Sequence, residues 1–560
     1  MNRETESHFS NLPVLDIKRS SFKRPYDHKL TFNTGSIIPV YLDQDILPGD
    51  TVKMSAASLI RMQTPIYPVM DNAYCDLMFF FVPIRLIWDH WREFWGENRL
   101  TAWEQQVEYT IPQITPPEGG WNKGTIANHL GIPEGYAGKT VSHLPFRAYC
   151  KIWNDWFRDE NLKDPCMITT DETTKTGTNS GDYVTYAECG GTPLKAARFH
   201  DYFSSALPSP QKGPSVKLPL GLTAPVITGD VNTSLGSKEK SISFSYNAGS
   251  RTFTPEAGGL YNMAIQLPET LAPTGNNLGT IENHKITSGY PMAVWPNNLY
   301  ADLAGATAAT INQLRQAFAV QAFYEAQARG GSRYIEFIKN IFGVTSPDGR
   351  MQRAEYLGGT RFNINMDQVL QTSGTTETSP QGNTAAFSCT VASDELFTHS
   401  FTEHGILMGV AVIRTDHTYQ QGIERGWFRK KWSDYYIPQF ANLGEMAIYN
   451  REIYAQGTSA DEEVFGYQEA WADYKYKPNY ISGEMSSLYT ASLDAWTYAD
   501  DYESLPTLSS GWIDETEANV DRTISVQSSE ADQFLGDFYF DATYVRPMPL
   551  YSIPAMLSHF

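Results

Sequence analysis

Gly138-Lys139-Thr140 is the nearest approach in this chain to a phosphate-binding loop. Such a loop cradles phosphates on glycine amides and needs its first glycine at position 133, where Pro133 stands instead, and no clean buried strand leads into it. A nucleophile elbow of the G-x-S-x-G type is absent. His399, Glu403 and His404, in the run HSFTEHG, are of metal-ligating types, but their spacing matches no zinc motif and they enter an apolar strand. Hydrogen-bonded structural histidines are the expectation there. Glycosidase chemistry would need two carboxylates about 5 to 9 Å apart, and nothing local marks such a pair. The five cysteines, at 75, 150, 166, 189 and 389, are odd in number and lack a C-x-x-C pair, the pattern of reduced cytoplasmic thiols rather than of a disulfide framework or zinc cage. The residues point to no enzyme, no metal site and no cofactor.

Two other chemistries remain. Lys18, Arg19, Lys23, Arg24 and Lys29 cluster with Phe22, Tyr26 and His28. Cations with interleaved aromatics suit single-stranded DNA, phosphates on the cations and bases on the rings, and Lys18, Arg19, Phe22, Lys23, Arg24 and Lys29 are the expected contacts. A solvated flexible arm is the alternative reading of the same residues. The whole surface cannot bind nucleic acid, because 43 basic residues face 63 acidic ones for a formal charge of −20. Between Glu484 and Asp541 thirteen acids accompany one base, Arg522, and a solvated acidic face is expected there. The second chemistry is apolar. The terminal run RPMPLYSIPAMLSHF is held extended by three prolines. At about 3.3 Å per residue it reaches roughly 50 Å. Met548, Leu550, Tyr551, Ile553, Met556, Leu557 and Phe560 make it too apolar for water, so it wants a core of its own or a neighbouring subunit.

The elements that must position these residues read mainly as strands. Over 560 residues, 41% of them apolar, no Pro/Gly/Ser linker divides the chain. The start, MNRETESHFSNLP, has no apolar segment of a secretory signal, and the longest apolar runs, Leu77 to Val82 and Ile406 to Ile413, are too short to span a bilayer. Strand patterns begin at Leu30, with a turn at Leu47-Pro48-Gly49-Asp50; LMFFFV suits a strand buried on both faces; ILMGVAVI and GDFYFDATYV follow later. Leu144 to Phe157 reads as a helix with Pro145 in its first turn and Tyr149, Ile152, Trp153 and Trp156 on one face. From 207 to about 297 charges thin out and Gly, Pro, Ser, Thr and Asn dominate around alternating pieces such as Ile242/Phe244/Tyr246, a large β insertion at the surface. Thr310 and Gln313 form a capping-box pattern, and Ile311, Leu314 and Phe318 share a helical face. Gly330-Gly331 ends that helix, and Ser332 opens a second with Ile335, Ile338 and Phe342 as its stripe and Gly343 as its stop.

As a pattern, the block from Asn298 to Gly359, NLYADLAGATAATINQLRQAFAVQAFYEAQARGGSRYIEFIKNIFGVTSPDGRMQRAEYLGG, resembles the major capsid protein of gokushoviruses, single-stranded-DNA phages of the Microviridae. LPGDT at 47–51, TPIYPVMDNAYCDLMFFFVPIRLIWDHW at 64–91, LPSPQKGPSVKLPLG at 207–221, HSFTEHGILMGVAVIRTDHTYQQG at 399–422 and the terminal run resemble it in the same order. The resemblance is poor over about 160–195 and 222–295. It implies a mainly β fold, an eight-stranded antiparallel jelly roll with long loop insertions containing helices. It implies a homo-oligomer of sixty copies forming a T=1 icosahedral shell around a circular single-stranded DNA genome, a virion component assembled in the host bacterial cytoplasm. A scaffolding protein during assembly and a host surface receptor are further implied partners, and membrane insertion is not expected. A small basic DNA-binding viral protein is expected on both grounds, since a subunit at −20 cannot neutralise a packaged genome.

The expected organisation is then residues 1–30 as an inward-facing basic arm, 31–206 as the first part of the jelly roll with helical insertions, and 207–297 as a surface insertion forming a three-fold protrusion. Residues 298–545 hold the helix pair and remaining strands, and 546–560 the tail at inter-subunit contacts. Within the insertion, Ile242, Phe244, Tyr246, Arg251 and Phe253 are the expected host-attachment residues. A carbohydrate-active enzyme or lectin on a β-sandwich would explain the 13% aromatic content and the acidic surface, but not the missing secretion signal, the basic arm or the apolar tail; a soluble receptor-binding spike would be an obligate trimer rather than a shell.

Overall fold

The computed structural model describes residues 18–97, 108–216, 226–228, 243–246, 249–252, 294–296, 299–301, 311–331, 333–376, 380–382 and 384–551. The chain divides into two compact units, Met1–Lys212 with Glu325–Phe560, and Gly213–Tyr324.

The first unit is built on strands β1 (Ser20–Lys23), β2 (Tyr26–Phe32), β3 (Ile38–Ile46), β4 (Thr51–Met62), β5 (Ala73–Pro83), β6 (Glu355–Asn363), β7 (Thr390–Ser400), β8 (Gly405–Thr415) and β9 (Phe534–Arg546). All pair antiparallel in two sheets. β1 and β2 lie end to end along β9, which continues to β4 and β7; the other sheet runs β6-β5-β8-β3. Register sets Ser20 opposite Arg546 and Phe32 opposite Phe534. Pro25 breaks the edge strand because it has no amide hydrogen to give the ladder, while the Arg24 amide still donates to the Ala542 carbonyl at 2.8 Å. Each sheet therefore has four strand positions. Residues 20–30, read from the sequence as part of an arm, are strands of the first sheet.

Period-two alternation explains why these strands face each other. In β9, Phe534, Phe538, Phe540, Ala542 and Tyr544 are fully buried while Leu535 and Tyr539 point out. They meet Val52, Met54 and Ile60 of β4 and Cys75, Leu77, Phe79 and Phe81 of β5 in one core. Phe79 is its centre, with ring centroids 5.7 Å from Tyr41, 5.6 Å from Phe540 and 5.5 Å from Phe397. The Tyr41 and Tyr544 hydroxyls, 2.7 Å apart, satisfy each other across the two sheets. The other face of β5 and β8, Phe80, Val82, Ile406, Met408, Val410 and Val412, packs into a second core. A strand covered on both faces has no reason to alternate, which is why LMFFFV and ILMGVAVI are continuous.

Helix α1 (Leu144–Ile152) fills that second core with Tyr149 and Ile152, and Trp153 follows in a wider turn to Phe157. Trp156, placed on the same face by its spacing, is 36% exposed because that turn rotates it outward. Helix α2 (Ile311–Gly330) stops where Gly331 takes φ +92°, a conformation open to glycine at little cost. Helix α3 (Tyr334–Phe342) starts with the Arg333 amide donating to Glu336 Oε2 at 3.1 Å. It ends on Gly343 at φ +68°, the left-handed stop that glycine supplies. Thr310 and Ser332 lie outside the described residues. Of the face shared by Ile311, Leu314 and Phe318, Leu314 is partly buried, while Ile311 is 69% and Phe318 66% exposed. A third core of the first unit joins Tyr202, Phe203 and Tyr419 to Ile448 and Phe465, which sit on the paired strands Met446–Tyr449 and Val464–Gln468.

In the second unit, Ser243–Tyr246 pairs with Gly249–Thr252 and Val294–Pro296, and Val226–Thr228 pairs with Leu299–Ala301. This unit starts at Gly213 and runs through Tyr324, taking the first turns of α2, a different span from the 207–297 read from composition.

Candidate nucleic-acid and inter-subunit surfaces

The amino-terminal cations separate by what β1 and β2 do with them. Phe22 alternates inward and packs against the inter-sheet core, so its ring is not offered to a base. Arg24 Nη1 lies 2.5 Å from Asp43 Oδ2 and its guanidinium sits 4.7 Å from the Tyr544 ring centroid. Lys29 is paired with Asp27 and, at 3.5 Å, with Asp537. Asp43 and Asp50, both buried, also hold Arg546, whose Nε is 3.0 Å from Asp50 and whose Nη2 is 3.7 Å from Asp43. Arg24 is therefore part of a knot that pins the edge strand, and β9 beside it, to the β3–β4 turn. Lys18, Arg19 and Lys23 are exposed and have no ion pair among the described residues.

At the other end the chain leaves β9 at Arg546, and Met548, Leu550 and Tyr551 stand in solvent at 40%, 54% and 80% exposure. Ile553, Met556, Leu557 and Phe560 lie outside the described residues. A soluble monomer does not leave such a run uncovered without a partner. Of the residues expected to meet a host, Phe244, Tyr246 and Arg251 lie on the hairpin of the second unit, with Phe244 opposite Arg251 in register; Ile242 and Phe253 lie outside the described residues.

The stretch read as a solvated acidic face is instead largely structural. Of its thirteen acids only Glu484, Asp501, Glu503, Glu530 and Asp541 are exposed. Asp500 and Glu515 are buried against His417, whose Nδ1 lies 2.9 Å from Asp500 Oδ1 and whose Nε2 lies 2.9 Å from Glu515 Oε2. Asp500 also accepts from Arg198 Nη1, Asn519 Nδ2 and the Tyr502 hydroxyl, each at 2.7 Å. Burial opposes a charged His417, but the two carboxylates override it and push its pKa up to about 10. Burial likewise opposes ionised Asp500, and His417 and Arg198 override it to hold the carboxyl well below the usual range. Further along, Asp514 holds Lys163 at 2.5 Å and Glu517 is paired with Lys195. The acids tie this long segment to the strands it crosses. Composition suggested solvation because the cationic partners lie far away in the chain, His417 by 83 and 98 residues and Arg198 and Lys163 by more than 300.

The remaining chemical candidates do separate work. Lys139 is on an exposed loop, its amide donating to the Tyr136 hydroxyl at 3.0 Å. His399 contacts Phe401, Glu403 takes Arg85 at 2.6 Å, and His404 stacks on Trp95 with centroids 5.0 Å apart. Burial lowers the pKa of both histidines. Cys75, Cys150, Cys166 and Cys189 are free and buried, and burial raises the Cys189 thiol to about 11, which leaves it unreactive. The described residues hold no cluster of metal-ligating side chains and no helix long and apolar enough to cross a membrane.

The family described as Capsid protein (F protein) matches residues 10–556. Capsid protein VP1 of Spiroplasma virus 4 is 42% identical over 555 residues, covering 98% of this chain and 97% of that one. Capsid protein VP1 of Bdellovibrio phage phiMH2K is 39% identical over 569 residues, covering 100% and 99%. Capsid protein VP1 of Chlamydia phage 1 is 36% identical over 591 residues, covering 98% of each. With two antiparallel sheets, helical insertions, an uncovered apolar run after β9 and full-length identity of this order, the chain belongs to the capsid F protein family of Microviridae-type phages, structural proteins and not enzymes.

Proposed function

We propose that this chain is the shell subunit of a T=1 icosahedral particle, sixty copies enclosing a circular single-stranded DNA genome, and that its fold is the eight-stranded antiparallel jelly roll of viral capsids. The observation that carries the reading is the strand order, two four-position sheets running β2-β9-β4-β7 and β3-β8-β5-β6 around one core. From β2 onward successive strands fall in opposite sheets except at the β5–β6 step, and that step carries the longest insertions, including α1 to α3.

Contacts between identical subunits must close around rotation axes or grow into filaments. Segments leaving the folded body serve this, since they bury area on neighbours without reshaping the core, and Met548, Leu550 and Tyr551 supply such area. Lys18, Arg19 and Lys23 supply the inward cations that meet phosphates. A chain at −20 still needs a separate basic protein to neutralise the genome, and a scaffolding protein guides assembly. The second unit, with the hairpin carrying Phe244, Tyr246 and Arg251, forms the three-fold protrusion that meets a host surface receptor. The particle is assembled in the host bacterial cytoplasm.

Sedimentation velocity with electron micrographs of the same fractions tests this. Sixty copies of a 62.9 kDa chain make a particle of about 3.8 MDa. A species of that size with knobs on its three-fold axes is the expected outcome. Native particles that yield only monomers or a trimer of about 190 kDa would overturn it.

A further inference from the structure

The segment from Ile423 to Leu443 was not marked by any motif, yet it is the most exposed aromatic surface among the described residues. Trp427 is 81% exposed, Trp432 72%, Tyr435 51% and Tyr436 46%. Arg425 to Trp432 reads RGWFRKKW, four cations in eight residues with no acid, in a chain that is acidic overall. Arg425 and Arg429 are matched by Glu452 and Asp473, but Lys430 and Lys431 are exposed and have no ion pair among the described residues. Asp434 accepts at Oδ2 from the backbone amides of Lys430 and Lys431, each at 2.8 Å, and these amides, followed by the Lys431 charge, hold its carboxyl below the usual range.

The segment is also held in shape. Trp471 takes the left-handed backbone at φ +64°, rare for a bulky residue, and donates its indole Nε1 to the Phe440 carbonyl at 3.0 Å. Its ring lies 5.7 Å from Tyr436 and 6.5 Å from Phe440, and Phe440 stacks on Trp432 at 6.1 Å. One face of Trp432 is thus supported and the other is free, while Trp427 makes no ring contact among the described residues. At the root of the segment a cavity of about 210 Å³ opens between Tyr202, Tyr419, Arg425, Tyr476 and Tyr480. That is room for one planar heterocycle.

We propose that this surface is a binding platform for single-stranded nucleic acid, with bases stacking on Trp427 and Trp432 and phosphates held by Lys430 and Lys431. The cations decide between this and a contact with a second copy of the chain. Lysine is depleted from the core of protein interfaces, where it must be desolvated, whereas single-strand platforms combine cations with open aromatic faces. The ligand is the one the shell reading requires, so the inference rests on that reading for identity and adds a site separate from the amino-terminal cations.

The test is fluorescence anisotropy of a labelled twenty-nucleotide oligothymidylate against the full-length chain, with salt varied over about 50 to 200 mM. W427A/W432A should weaken binding at least ~10-fold. K430E/K431E should weaken it and flatten the salt slope by about 1.4, two phosphates at ~0.7 each on a single strand. K430R/K431R should keep both affinity and slope. These side chains are exposed, so circular dichroism and the melting midpoint should not move. Wild-type affinity in both W427A/W432A and K430E/K431E overturns the proposal and leaves the shell reading standing. Unchanged DNA binding with loss of the assembled species makes the surface a subunit contact, which also overturns it. A wild-type chain that binds no oligothymidylate overturns it too, and the size of the particle then judges the shell reading separately.

Discussion

Replacing His417 by glutamine should cost stability through a partner that has no substitute. His417 donates from both ring nitrogens at 2.9 Å, to Asp500 and to Glu515. Asp500 keeps Arg198 at 2.7 Å when the imidazolium is lost. Among the described residues Glu515, fully buried, keeps hydrogen bonds only from the Thr415 hydroxyl at 2.8 Å and amide at 3.3 Å, with Arg198 acting on it through charge alone. Removing one partner of a buried ion pair leaves the other charge uncompensated and costs about 3 to 5 kcal/mol. H417Q should lose that much in urea unfolding followed by tryptophan fluorescence. H417Q/E515Q, which removes the orphaned charge and leaves neutral hydrogen-bonding groups, should recover most of it, to within about 1 to 2 kcal/mol of wild type. The pH dependence has a definite sign. A histidine raised from 6.5 to about 10 stabilises fully below pH 6.5, and the contribution is lost as pH rises toward 10. The gap between wild type and H417Q should therefore be constant near pH 6 and shrink steadily above it. A single variant costing less than about 1 kcal/mol, a double variant no better than the single, or a gap that widens with pH would refute the reasoning.

Three further outcomes follow from the surfaces and the core. K18E/R19E/K23E should lower the yield of DNA-filled particles while empty shells still form, and equal filling in a density gradient would remove these cations from the DNA reading. Arg24 is left out because its loss would orphan buried Asp43 and change folding as well. F79A should lower unfolding stability by about 3 to 5 kcal/mol, since Phe79 fills the space between Tyr41, Phe397 and Phe540; a smaller loss in urea melts would mean the sheets close over the gap. Y551D should leave subunit stability within about 0.5 kcal/mol of wild type yet reduce particles in sedimentation velocity, and undiminished particles would take Tyr551 out of the subunit contact.

Strands β4, β5, β8 and β9 were legible because their burial is written in the chain itself. Alternation in GDFYFDATYV marks one buried face and the continuous LMFFFV marks two, and both follow from a side-chain period that does not depend on the partner. Glycines at 331 and 343 were legible as helix stops for the same local reason, a backbone conformation other residues resist. The ordered motifs pointing to phage capsid proteins were legible because they extend over nearly the whole length.

Partnership was not legible. Phe22 and Arg24 read as groups free for DNA, and only the pairing of Ser20–Lys23 with β9 turns one into the core and the other onto Asp43. Thirteen acids read as a solvated face until folding brings His417, Arg198, Lys163 and Lys195 to them across sequence distances no local pattern spans. Trp427 and Trp432 carry the opposite lesson: tryptophan in a globular chain suggests burial, and only the tertiary structure leaves these two in solvent beside unpaired lysines. Local periodicity and backbone preference are properties of neighbouring residues, so the chain alone determined the core strands, their buried faces and the helix stops. Charge compensation and exposure are properties of distant residues meeting in space, so only the folded structure decided which cations, acids and rings remain for a partner.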